Sequence, residues 1–97
     1  MSLSREPLSP HDIESHLSTL KGWSVKEGKL CKDFSFKDFI SAFSFLTRVA
    51  LLAEKMNHHP EIYNSYNRIT LSLYTHDKKA ITMWDIHFAQ SIQKWNE

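Results

Sequence analysis

The chain is expected to adopt an α+β fold: a four-stranded antiparallel sheet with three helices packed on one face, in the order α-β-β-α-β-β-α. Three observations predict it. Segments with apolar residues at helical spacing alternate with pairs of short strand-like runs. The strands of each pair are separated by a tight turn, which makes them antiparallel. The run 68–75 alternates, with Ile69, Leu71 and Leu73 on one side and Thr70, Ser72, Tyr74 and His76 on the other. Hairpins alternating with helices give a layered fold with the sheet covered by helices.

Each element has local support. Ser9 suits the N-cap of a first helix, Pro10 its first helical position, and Asp12 the acid of a capping box. Ile13, Leu17 and Leu20 follow at helical spacing, and Gly22 suits the stop. Residues 23–26 and 29–34 form two short strands around a Glu27-Gly28 turn. Ser35 and Asp38 then propose a capping box for a long helix to Asn57. Its main apolar stripe is Phe39, Phe43, Leu46, Ala50 and Ala53, widened by Ile40, Val49, Leu52 and Met56. Phe45 and Leu51 lie off that stripe. A helix this apolar is expected to bury more than one face, against the sheet and against a second subunit.

Pro60 ends that helix and pushes His59 toward extended backbone. Residues 61–66 follow as a strand, with a turn at Asn67-Arg68 before the alternating run. Thr82 and Asp85 form the capping box of a last helix, with Trp84, Phe88, Ile92 and Trp95 as its stripe.

With 97 residues the chain makes a single domain, 1–97, with 1–8 as a flexible tail. A domain this small buries a modest share of its surface, so self-association is expected. Charge is balanced, 12 Lys+Arg against 11 Asp+Glu, and no basic stripe offers a footprint for direct nucleic-acid binding. There is no apolar run of bilayer-spanning length, and the N-terminus is not a secretory signal. Cys31 is the single cysteine and has no internal disulfide partner, which fits a reducing, cytoplasmic setting and leaves nuclear or organellar placement open.

The residues suited to chemistry fall between Glu54 and Asp85. His58 and His59 stand side by side just past the long helix, and His76 follows the alternating strand. Histidine is the side chain whose unperturbed pKa lies closest to neutrality, so it suits proton transfer. A helix end needs only one capping histidine. On extended backbone the two rings would point apart and serve different ends. A hairpin over residues 61–75 would bring the 58–60 segment beside His76. Glu54, four residues before His58, would share its face and fix its tautomer if the helix persisted; the plain alternative is an exposed i, i+4 pair. Asp85 can cap its helix and still face a pocket.

Zinc binding is the competing use of such a set of side chains. No His-x-x-x-His or Cys-x-x-Cys spacing supports it, and adjacent histidines rarely reach one metal from regular backbone. Cys31 has no motif around it and reads as a structural thiol. His11, His16 and His87 read as surface or helix-margin residues.

The ordered set resembles a known family. Glu54, three residues, His58-His59-Pro60, Tyr66 after five more, His76 after nine and Asp85 after eight together resemble the signature of the pterin-4a-carbinolamine dehydratases. Gly22-Trp23 and the aromatic-rich segment 34–39 fit the same family, so the resemblance spans about 9–95. It implies the fold above and dehydration of a 4a-hydroxytetrahydropterin to the quinonoid dihydropterin, in tetrahydrobiopterin recycling. No redox cofactor and no metal are implied. It implies His58 and His76 as acid/base groups, His59 as mainly pterin-binding, and Glu54, Pro60, Tyr66 and Asp85 as supporting the substrate site. It also implies a homodimer or homotetramer, and a second role open to such folds, a protein-interaction cofactor of a transcription factor or an assembly partner. Segment 77–84 departs from the family: no glycine precedes the helix, and Met83-Trp84 is bulky. That bears on pocket shape rather than on the reaction.

Overall fold

The computed structural model describes residues 3–95. Its elements are α1 (Pro10–Leu17), β1 (Ser24–Lys26), β2 (Lys29–Ser35), α2 (Phe39–Met56), β3 (Glu61–Ser65), β4 (Arg68–Leu73) and α3 (Met83–Lys94). The strands form one antiparallel sheet in the order β1-β2-β4-β3, with the three helices on one face. The expected order and topology are therefore present.

The pleat explains the layering. Leu30 pairs with Leu73 and Phe34 with Ile69 across β2 and β4, and these side chains face the helices. Leu30, Leu71 and Leu73 are fully buried, as are Val49 of α2 and Ile86, Phe88 and Ala89 of α3. Phe45 gathers the remaining large rings: Phe34 at 4.7 Å, Phe36 at 5.1 Å and Trp95 at 5.9 Å. This aromatic group ties β2, α2 and the end of α3 together, each ring pair adding about 0.5–1.5 kcal/mol to its area burial.

The first turn follows from backbone conformation. Glu27 (φ 51°) and Gly28 (φ 75°) both take positive φ at the β1–β2 hairpin, the requirement of a two-residue hairpin turn with the right twist. At the second hairpin the turn residues are Tyr66 and Asn67 rather than Asn67 and Arg68. Arg68 already pairs with Ser65 and Ser35, so it belongs to the sheet, and Tyr66 takes a positive φ of 53° to make the bend. An aromatic residue in that region stores strain.

Two further expectations are corrected. Ser35 does not cap α2; it is the last residue of β2, held by its pairing with Arg68. Asp38 is the cap, and its carboxylate accepts from the Ser41 N–H at 2.8 Å. The core stripe of α2 is also rotated. Ala42, Val49 and Ala53 are buried, with Phe45, Leu46, Leu52 and Met56 packed beside them. Phe39, Phe43, Ile40, Leu51 and Ala50 are exposed. Small side chains let the helix approach the sheet closely, so the phenyl rings of Phe39 and Phe43 are the ones turned outward.

Candidate active site

The end of α2 decides where the two adjacent histidines go. Asn57 adopts the left-handed conformation (φ 52°, ψ 44°) that ends many helices. The His58 N–H then donates to the Ala53 carbonyl at 3.1 Å, and the Asn57 N–H to the Glu54 carbonyl at 3.3 Å. These two bonds make a Schellman end, in which the residue after the left-handed one folds back on the helix. His58 is consequently buried, 7% exposed, while His59 is exposed. The expected divergence of the two rings is present.

His58 meets Asp85 from α3: Nε2 lies 2.6 Å from Oδ1 of a carboxylate that is itself fully buried. The other oxygen, Oδ2, accepts from the Thr82 N–H at 2.9 Å and from the Thr75 hydroxyl at 3.0 Å. The Thr75 and Thr82 hydroxyls share a further hydrogen bond of 2.7 Å. Asp85 thus closes the capping box of α3 and orients His58 together, as its position at a helix start allowed. A carboxylate accepts only, so the His58 Nε2 donates and Nδ1 remains the basic nitrogen. Nδ1 has no hydrogen-bond partner among the described residues. Trp84 and Phe88 wall the imidazole at ring distances of 5.9 and 6.3 Å.

The other candidates surround this pair in different ways. Glu54 does not share a face with His58, because the helix ends at Met56; it pairs with His59 instead, Oε2 to Nε2 at 2.6 Å. That pair is exposed. Pro60 is half-buried and leads straight into β3. Glu61 pairs with Ser72 as the first rung of the β3–β4 ladder, so the 58–60 segment meets the sheet at the end of β4 that leads on to His76. His76 is exposed and its ring lies 4.4 Å from that of Tyr74. The hairpin therefore draws the 58–60 segment toward the strand end that carries His76. No hydrogen bond joins His76 to His58 or His59 among the described residues. Tyr66 sits at the opposite end of the hairpin, roughly 20 Å along β3 from His59 at ~3.3 Å per residue, and 66% exposed.

Thr75 was not expected in the site. Thr75 carried a signal: it has the parity of the core residues Leu71 and Leu73, so a polar side chain had to point inward there. Trp84 was expected on the apolar stripe of the last helix and, with Met83, as a bulky pair that bears on pocket shape.

A concavity of about 350 Å³ lies elsewhere, on the sheet face away from the helices, lined by Lys26, Lys29, Cys31, Asp33, Thr70 and Ser72 among others. Its polar groups largely satisfy one another. Lys29 bonds Glu61 at 2.8 Å, which holds its ammonium above the ordinary lysine range. The Thr70 hydroxyl bonds Asp33 at 2.7 Å, and Cys31 lies 3.3 Å from the Ser72 hydroxyl. A face paired this way is a solvated sheet surface, and the buried carboxylate–imidazole pair is the better place for chemistry. Among the described residues no three His, Cys, Asp or Glu side chains are grouped to hold a metal ion, and no helix is long and apolar enough to cross a membrane.

A relative from Solibacter usitatus, named "Putative pterin-4-alpha-carbinolamine dehydratase", is 48% identical over 85 residues, covering 88% of this chain and 90% of its own. One of the same name from Rhizobium rhizogenes is 40% identical over 91 residues, covering 92% and 90%. A crystal structure described as a transcriptional coactivator/pterin dehydratase from Brucella melitensis superposes with a TM-score of 0.87 at 37% identity, covering 92% of this chain and 97% of that one. A pterin dehydratase-like protein described as a RuBisCO assembly factor of the alpha-carboxysome shares the fold, with a TM-score of 0.62 at 22% identity over 74% of this chain and 83% of that one. The sequence model of the family described as pterin 4 alpha carbinolamine dehydratase matches residues 6–95, and the chain belongs to that family.

Proposed function

We propose that the protein dehydrates 4a-hydroxytetrahydropterins to quinonoid dihydropterins, within tetrahydrobiopterin recycling, by histidine acid/base catalysis. The observation that carries this reading is the buried His58–Asp85 pair, backed by Thr75 and Thr82. The reaction breaks the bond between carbon 4a and its hydroxyl, and the hydroxyl leaves as water once protonated. The neighbouring ring N–H loses its proton as the C=N bond forms. One group must give a proton and another take one, and such transfer contributes about 10²–10⁴-fold.

In this reading His58 acts through Nδ1, with its tautomer fixed by Asp85. His76, exposed beside Tyr74, is the second acid/base group. His59 binds the pterin, held by Glu54, and Pro60 sets the extended backbone that separates the two rings. Tyr66 is assigned to the hairpin bend rather than to the pterin, because of its distance along β3. The test is quinonoid dihydropterin formation from freshly generated 4a-hydroxytetrahydropterin, with and without the protein, in chelator-treated buffer. Acceleration over the spontaneous rate is expected; a folded protein that gives none overturns the proposal.

One observation favours an additional binding role. The outward side of α2 carries Phe39, Ile40, Phe43 and Leu51, all exposed. Such a surface suits self-association into a homodimer or homotetramer, or a protein partner.

A further inference from the structure

Residues 3–8 precede α1 and were expected as a free tail, yet they contact the site. The Leu8 N–H donates to the Ile81 carbonyl at 2.9 Å, and the Leu8 side chain packs on the core. The Arg5 guanidinium donates to the Asp77 carboxylate, and its Cζ lies 5.8 Å from the centre of the Trp84 ring.

Both partners of Arg5 adjoin a histidine of the site. Asp77 directly follows His76 in a turn closed by backbone bonds, Thr75 N–H to the Ala80 carbonyl at 2.8 Å and Lys79 N–H to the His76 carbonyl at 3.3 Å. Trp84 packs on His58. Among the described residues the buried indole N–H of Trp84 has no hydrogen-bond partner, so none of them fixes the plane of that ring through a hydrogen bond. Packing alone sets it, against His58 and under Arg5.

We propose that Arg5 is a positioning residue for the site. It clasps the His76 turn through Asp77 and steadies the indole over His58. An arginine suits the task because its flat guanidinium pairs with a carboxylate and lies over an aromatic ring at the same time. The Arg5–Asp77 pair is about half exposed, with side-chain exposures of 45% and 60%, so it adds little to global stability. Its effect belongs to the site rather than to the fold.

The kinetic part of the test rests on the dehydratase reading, and a second measurement does not. Arg5→Ala is expected to lower kcat about fivefold, with KM and Tm nearly unchanged. Asp77→Ala should give a similar loss, and the double variant no more than either alone. Arg5→Lys, which keeps the charge but not the flat stack, should restore only part of the rate. Amide exchange at Lys78, Lys79 and Ala80 should quicken several-fold in Arg5→Ala. Unchanged exchange and unchanged kcat overturn the clasp, as does a rate loss that merely follows a fall in Tm. Quickened exchange in a protein whose wild type shows no dehydratase activity supports the clasp and counts against the reaction instead.

Discussion

Asp85 has two tasks on one side chain. Its Oδ2 holds the start of α3 while its Oδ1 holds His58. Asp85→Asn keeps the shape but replaces one acceptor oxygen with a donor NH₂, so one buried partner loses its bond. Turnover is expected to fall by about 10²-fold, and urea unfolding should show a loss of about 1–3 kcal/mol. His76→Ala is different, because the His76 side chain is exposed and makes no hydrogen bond among the described residues. Its stability should change by less than ~0.5 kcal/mol, while kcat falls with KM little altered. Steady-state kinetics beside thermal melts separate the two cases, and an unchanged kcat in a folded His76→Ala protein removes His76 from the chemistry. Much at this scale was legible beforehand: adjacent histidines before a proline, and an acid at a helix start. The pairing of Glu54 was not. It depends on Asn57 taking a left-handed conformation, which moves His58 inward and brings His59 to Glu54. Residue spacing alone cannot distinguish that from one more helical turn.

The long helix α2 shows both what periodicity delivers and where it fails. Its existence and its end near Asn57 follow from apolar spacing and Pro60. Its rotation did not, because apolar residues surround it: Ala42, Val49 and Ala53 on one side, Ile40, Phe43 and Leu51 on the other. When two stripes compete, side-chain size decides which meets the sheet, and size enters only once the packing distance is known. The start is similarly clear after the fact. Asp38 caps α2, and the Ser41 N–H holds its carboxyl below the ordinary value of 3.8. The ionised form is therefore favoured in the folded chain. Its stabilisation is complete above that value and is lost as pH falls through the lower, folded one. Asp38→Ala should melt below wild type at pH 6, and the gap should narrow toward pH 2. Melting followed by circular dichroism across that range checks it; a constant gap would assign the loss to something other than the ionised cap.

At the scale of the whole molecule, the helix layer uses only one side of α2 to cover the sheet. The other side presents Ile40 at 76%, Leu51 at 68%, Phe43 at 54% and Phe39 at 47% exposure, with the Phe39 and Phe43 rings 5.7 Å apart. The edge strand β3 adds Ile62 and Tyr63, and the turn after it Tyr66, all exposed. Apolar side chains gathered this way are costly in water and favour burial against another surface. The expectation from chain length, that so small a domain gains by association, points the same way. Sedimentation equilibrium should therefore find the protein larger than one chain. Phe43→Glu places a charge in the middle of the α2 surface without touching the buried stripe of Ala42, Val49 and Ala53. It should reduce the assembly while leaving the circular dichroism spectrum intact, and Tm should fall with dilution in the wild type but not in the monomeric variant. If β3 forms a second contact, Phe43→Glu stops at a dimer rather than a monomer, and Tyr63→Glu added to it completes the separation. A wild type that sediments as one chain would leave α2 as a surface for a different protein, and dehydratase activity at that size would show that the His58–Asp85 site is complete within a single protomer.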